Sequence, residues 1–270
     1  MCYMRRADAS WPGTLTIVAL VCALGAQPAR AQLPAADLAA SEPLKDANPQ
    51  PALPPPLTHY KGREIAQTMH YAGAPWLTRE SREREEDCKT LLKALRIQPG
   101  QTVCDMGCGN GFYTLKLARL VGKQGRVLAV DIQPEMLHLL ELRSRQQRIK
   151  NVRPILGTPV DPKLPPQSVD LILLVDVYHE FSYPEQMLAA MRKSLTPQGR
   201  LALVEFRAED AEVPIKPLHK MSKEQILKEI PPSGFRLADQ FDKLPWQHVM
   251  FFELADPQPV APARVSSEAR

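Results

Sequence analysis

The chain has 270 residues, of which 44% are hydrophobic and 24% charged, with 27 prolines, five cysteines and a formal charge of +4 at pH 7. That length allows one or two domains and ample apolar material for a core. So mild and dispersed a charge, with no basic stripe interleaved with aromatics, argues against nucleic acid as a partner.

Arg5 and Arg6 precede an uncharged apolar stretch over 15–26, and Ala29-Arg30-Ala31 follows. A charged start, a short apolar middle and an A-x-A-like site make a secretory signal peptide over 1–31, with cleavage after Ala31. The apolar stretch falls short of the roughly 20 residues that span a bilayer. An uncleaved anchor or a misassigned start codon are the alternatives. Val21 stands before Cys22, where a lipoprotein signal wants a small residue. Residues 32–57 are rich in proline and alanine and predict a linker; 256–270 predict a disordered tail. One folded domain remains, over 58–255. Loss of Arg5, Arg6, Arg30 and Asp8 with the signal lowers the formal charge from +4 to +2. The expected location is exported, in the periplasm or peripheral to a membrane. Cys88, Cys104 and Cys108 remain, an odd number for an exported protein, at a spacing that matches no zinc motif. Cys104 reads as a buried small hydrophobe.

Residues 79–96 predict a charged amphipathic helix with Leu91, Leu92 and Leu95 on one face and a solvated mixed-sign run over 79–89. Pro99-Gly100 ends it. Thr102-Val103-Cys104 then reads as a strand, Asp105-Met106-Gly107-Cys108-Gly109-Asn110-Gly111 as a glycine loop, and the apolar-periodic run 112–121 as a helix. A dinucleotide loop wants G-x-G-x-x-G. Here the third glycine comes one position early, and Phe112 stands where the helix-packing glycine belongs. Asp105 at the strand end would repel a pyrophosphate and suits a cationic ligand. The run 126–131 is the second strand, and its terminal Asp131 can accept two hydrogen bonds from a ribose diol.

A helix over 134–150 carries proline at its first turn, a favoured place. Strands are expected at 152–156 and, as a continuous apolar run suited to a central parallel position, at 169–175. A helix over 184–195 ends at Thr196-Pro197-Gln198-Gly199, and 200–206 is the fifth strand. Ser222 caps a helix running to 230. The segments 235–241 and 248–254 close the sheet as an antiparallel pair. The alternation predicts an α/β fold: a doubly wound, mostly parallel, Rossmann-like sheet of seven strands with helices on both faces. Ligands then bind at the carboxyl ends of the strands.

Four pieces, VCDMGCGNG, VLAVDIQPEML, the SVDLILLVDVYHEF run and LTPQGRLALVEF, stand in order at βα spacings. Together they resemble the class I S-adenosylmethionine-dependent methyltransferases over roughly 91–206, with weaker echoes to 254. The resemblance implies S-adenosyl-L-methionine as cofactor. It implies Asp105 near the methionyl end, and Gly107, Gly109 and Gly111 letting the loop pass beneath the ligand. It implies Asp131 on the ribose hydroxyls and Ile132 against the adenine. Asp161 is a candidate acceptor for the adenine amine, or a turn carboxylate before Pro162. Asp176 would contact the methionyl group.

Tyr178 and His179 follow the fourth strand, where the fold often places residues that face the methyl. They are the catalytic candidates, to orient or deprotonate an acceptor. His179 capping a turn or satisfying a carbonyl is the alternative. His59-Tyr60 and the segments 70–77 and 214–221 hold many of the aromatics, histidines and lysines outside the core. They are expected to cover an acceptor pocket, unless Tyr71 and Trp76 merely anchor the leading helix. No H-x-x-x-H or paired-carboxylate motif is present, so no metal is expected. The implied function is in-line methyl transfer to a small-molecule acceptor, with the quinone and small-metabolite branch nearest in appearance. The competing readings are a catalytically silent cofactor-binding module and a nicotinamide-dependent oxidoreductase.

Overall fold

The computed structural model describes residues 53–255; the predicted signal peptide, the linker up to residue 52 and the tail lie outside them. In chain order the elements are β1 (His59–Tyr60), β2 (Arg63–Glu64), a 3-10 segment (Tyr71–Thr78), α1 (Arg82–Glu86), α2 (Cys88–Ala94), β3 (Thr102–Met106), α3 (Thr114–Val121), β4 (Arg126–Asp131), α4 (Pro134–Gln146), β5 (Val152–Leu156) and β6 (Val169–Val175). Then come a 3-10 turn (Tyr178–Glu180), α5 (Pro184–Ser194), β7 (Leu195–Arg207), a 3-10 turn (Pro217–His219), β8 (Lys220–Met221), α6 (Lys223–Glu229), β9 (Phe235–Phe241) and β10 (Gln247–Leu254).

The main sheet runs β5-β4-β3-β6-β7-β10-β9. β5, β4, β3, β6 and β7 are parallel, and β10 is antiparallel to both β7 and β9. The expected seven strands are all present; the two-residue β8 adds an eighth beside the end of β7. Alternation along the strands splits the core cleanly. Cys104, Met106, Ile172 and Leu174 pack on one face with Met187, Leu188 and Met191 of α5 and Ile226 of α6. Val103, Leu171 and Leu173 pack on the other with Leu91, Leu95, Leu117 and Val121. Burying each such side chain is worth about 1.5–3 kcal/mol. Both faces are covered, which is why the central strands read as unbroken apolar runs.

The elements depart from expectation in several places. The helix predicted over 79–96 is two helices, because Asp87 adopts a left-handed conformation (φ 43°, ψ 59°) and its side chain accepts from the Thr90 N–H of the next one. Nor is the 79–89 run wholly solvated: Arg82 and Glu86 are buried as a pair. The fifth strand begins at Leu195 rather than at 200, pairing with Val169 before a register shift.

Strand order reverses at β3, between β4 and β6, so the crevice at the carboxyl ends opens there. A strap formed by residues 54–79 crosses this edge. Tyr183 Oη donates to the Pro54 carbonyl at 2.8 Å, and Leu57 N–H donates to Ser182 O at 3.1 Å. Arg63 makes a two-pronged pair with buried Glu229 of α6 (2.7 and 3.2 Å) and donates to the His179 carbonyl at 2.9 Å. Gln133 clamps the strap from both sides: its Nε2 donates to Met69 O at 2.9 Å, and its Oε1 accepts from Tyr71 N–H at 2.8 Å.

Candidate active site

A cavity of about 460 Å³ lies at the carboxyl ends of β3, β4 and β6. The glycine loop forms its floor. Gly107 and Gly109 both hold positive φ (67° and 51°), which L side chains rarely adopt. A Cβ on Gly107 would lie 2.6 Å from both methyls of Val177, a stiff β-branched neighbour. The loop is thus shaped by close approach as well as by backbone freedom. Gly111, also at positive φ, sits behind the loop against Leu140 and does not line the cavity.

Asp131 ends β4, and both its oxygens are engaged by backbone. Oδ2 accepts from Gly109 N–H and Oδ1 from Gln133 N–H, each at 2.9 Å. Burial raises its pKa against the pull of those two donors. Each oxygen keeps a lone pair that a diol can use. Ile132, 40% exposed, stands on the rim next to it. Asp105 is 3% exposed and accepts from Thr114 Oγ1 at 2.5 Å. Burial pushes its pKa from 3.8 to about 6, although the Thr114 hydroxyl and the Arg82 guanidinium pull it down. Asp176 sits in the left-handed region (φ 55°) at the end of β6. Its Oδ2 accepts from Gln247 Nε2 at 2.7 Å, while Oδ1 is shut off from solvent without a partner. Burial, with Glu86 and Glu205 nearby, pushes its pKa well up. Non-glycine residues in this conformation are strained and tend to mark functional sites.

The catalytic candidates part company. His179 is buried and lines the cavity, and its Nδ1 lies 2.7 Å from Glu205 Oε2 on β7. An ionised carboxylate only accepts, so Nδ1 carries the hydrogen, and Nε2, on the cavity side, accepts from His219 Nδ1 at 3.1 Å. Burial disfavours the imidazolium, but Glu205 outweighs it and holds the pKa above its usual value. Tyr178 is a correction. It is fully buried in the core on the α5 side, beneath the Arg63 guanidinium and edge-on to Phe181, and does not reach the cavity. The 178–180 turn sends Tyr178 into the core while His179 and Glu180 both face the cavity. Asp161 is a second correction: it is exposed, capping the Lys163 N–H in the turn after β5. Thr158 and Pro159 line the cavity in its place.

Several residues of the site are absent from the expected set. Arg82 lines the cavity; its Nε donates to both Glu86 oxygens at 2.9 Å and its Nη1 to Leu77 O at 2.8 Å. Glu205 is fully buried, and its one sequence signal is an acid inside the apolar run LALVEF, where an unpaired charge is costly. Glu180 lines the cavity with a carboxyl that burial raises to about 7. From the expected cover segments, Trp76 and Leu77 and Pro214, Ile215, Lys216 and His219 line the cavity, joined by Thr68 and Met69, while His59, Tyr60, His70 and Tyr71 do not. Trp76 is half-exposed and carries the Arg79 guanidinium 3.7 Å above its ring, so it walls the cavity rather than anchoring the core.

Residues 97–248 match a family described as a methyltransferase domain, and the chain belongs to that family. It is 30% identical over 146 residues to the ubiquinone/menaquinone biosynthesis C-methyltransferase UbiE of Vibrio campbellii, covering 54% of this chain and 55% of that one. It is 26% identical over 144 residues to the demethylmenaquinone methyltransferase of Lactobacillus johnsonii, covering 53% and 57%. The chain therefore spans about half the length of these curated relatives. Among solved structures, a SAM dependent methyltransferase from Aquifex aeolicus superposes with a TM-score of 0.65 at 25% identity, over 68% of this chain and 98% of that one.

Proposed function

We propose that this chain is an exported S-adenosyl-L-methionine-dependent methyltransferase acting on a small-molecule acceptor. The carrying observation is that the glycine loop, pinned to Asp131, opens onto the same cavity as the Nε2 of His179. The residues present suit the cofactor. Asp131 has free lone pairs for a ribose, Ile132 offers an apolar rim for adenine, and Asp105 and Asp176 suit a cationic methionyl end. The cofactor, when bound, supplies an activated methyl on a sulfonium.

The protein's own part is alignment and exclusion of water, which can lower a barrier by about 7–11 kcal/mol. Met69, Trp76, Leu77, Phe112 and Phe206 make a mostly apolar wall, suited to a ring or chain with one ionisable group. His179, oriented by Glu205, meets the proton-bearing atom of that acceptor. The relatives' printed quinone substrates agree with such a wall and make demethylated quinones the first acceptors to try. Export rests on the 1–31 pattern alone, outside the described residues; a processed mass in a periplasmic fraction tests it. Among the described residues no helix is long and apolar enough to cross a membrane.

The functional test is calorimetric titration with S-adenosylmethionine, its demethylated product and NAD. Micromolar binding of the first two alone supports the reading, and binding of NAD alone overturns it. His179→Ala should keep cofactor binding and lose turnover.

A further inference from the structure

We infer that His179, Glu180 and His219 form a divalent transition-metal site in the cavity wall. His179 Nε2 and His219 Nδ1 lie 3.1 Å apart, and Glu180 Oε1 lies 4.0 Å from the same Nε2. All three donor atoms fall within 4.8 Å of one another. Two nitrogens on one tetrahedral ion, with bonds of about 2.0–2.1 Å, sit about 3.3 Å apart. The imidazoles already have about this separation; the carboxylate needs a side-chain adjustment of about 1 Å to join them.

Three further features point to a ligand set. First, His179 Nδ1 is held by the buried Glu205 carboxylate at 2.7 Å. A metal-binding histidine is almost always fixed in this way through its other nitrogen, which raises its basicity and aims its lone pair. Second, the two histidine rings stand perpendicular at a centroid separation of 5.1 Å, so they converge through nitrogen atoms and do not stack. Third, all three residues line the cavity, so positions left open on the ion face the space that holds the acceptor. Two imidazoles and one carboxylate suit zinc or iron(II) better than magnesium or calcium, which prefer all-oxygen sets.

The site stands on these side chains and not on the methyltransferase reading. If both hold, an acceptor hydroxyl bound at an open position ionises through coordination, its proton passing to water, and His179 serves as ligand rather than base. In the metal-free protein, His219 Nδ1–H donates to His179 Nε2 instead.

The test uses the untagged full chain, stripped with chelator and titrated with Co²⁺ as a spectroscopic probe, followed by Zn²⁺ in competition. The expected result is one equivalent of Co²⁺ with visible bands of a four- or five-coordinate site, displaced by Zn²⁺ but not by Mg²⁺. His219→Ala, on a half-exposed turn where folding is not at risk, should weaken binding at least tenfold. Glu205→Gln, which keeps all three ligands, should weaken it about 10–100-fold. A thiolate charge-transfer band, unchanged binding in His219→Ala, or no stoichiometric binding would each overturn the site. None of these readouts depends on cofactor binding, so failure of the metal site is distinct from failure of the methyltransferase reading.

Discussion

Asp105→Asn should make the ligand-free protein more stable and the cofactor complex weaker. The carboxyl is 3% exposed, and burial lifts its pKa from 3.8 to about 6. A carboxyl raised on folding holds its proton in the folded state at pH values where the unfolded chain has lost it. Stability therefore falls as pH rises from about 4 through about 6, and above that the full cost is present. The gap between 3.8 and about 6 corresponds to about 3 kcal/mol. Asparagine is nearly isosteric, carries no charge, and can still accept from Thr114 Oγ1. Urea denaturation of the ligand-free variant at about pH 7.5 should show a gain of up to about 3 kcal/mol that shrinks to about 1 kcal/mol by about pH 4.5 and fades below about pH 3.5. Cofactor affinity should fall about ten- to a hundredfold, since a hydrogen bond to a charged group is worth about 1.5–3 kcal/mol. A variant that is less stable than wild type by the same margin at both pH values would refute the idea that folding tolerates this charge for the ligand's sake.

Three other outcomes are expected. Gly107→Ala should cost about 2–4 kcal/mol, from a positive φ of 67° and a Cβ 2.6 Å from Val177, and adding Val177→Ala should restore only the steric part in thermal melts. Arg82→Met should cost up to about 3 kcal/mol by leaving buried Glu86 with only the longer Arg79 contact at 3.4 Å and the Tyr113 hydroxyl, with Glu86→Gln in the same chain recovering much of it; a single variant within about 1 kcal/mol of wild type speaks against the pair's burial. Gln133→Ala removes both clamps on the strap, so amide exchange at Tyr71 and proteolysis across 66–79 should accelerate while the global unfolding midpoint stays nearly fixed.

The strands of the parallel sheet were legible because their signals are local. β4, β5 and β6 have the ends expected from apolar runs closed by Asp131, Gly157 and Asp176. The Ser222 cap was legible for the same reason, and its side chain accepts from Gln225 N–H. The break at Asp87 was not, since a left-handed aspartate leaves no mark in a helical pattern. Arg82 and Glu86 looked like a solvated run because opposite charges four apart usually are; here Tyr113 Oη and the Leu77 carbonyl complete their hydrogen bonding and permit burial. The acceptor side was least legible. His179 and His219 lie 40 residues apart, and only the return of the chain after β7 brings their nitrogens together. Tyr178 and His179 cannot be told apart by position alone, because the tight turn decides which one faces the cavity.

The strap also sets a timetable. Its anchors join residues separated by 125 positions at Tyr60–Glu185 and 166 at Arg63–Glu229. It leaves the ribosome before the rest of the domain, yet it has nothing to dock on until α5 and α6 exist. Contacts of such long range close late, after their loop entropy has been met by the sheet. The pocket's roof is therefore the first part of the domain to be synthesised and one of the last to be folded, and its open interval exposes the apolar wall of a site already shaped beneath it.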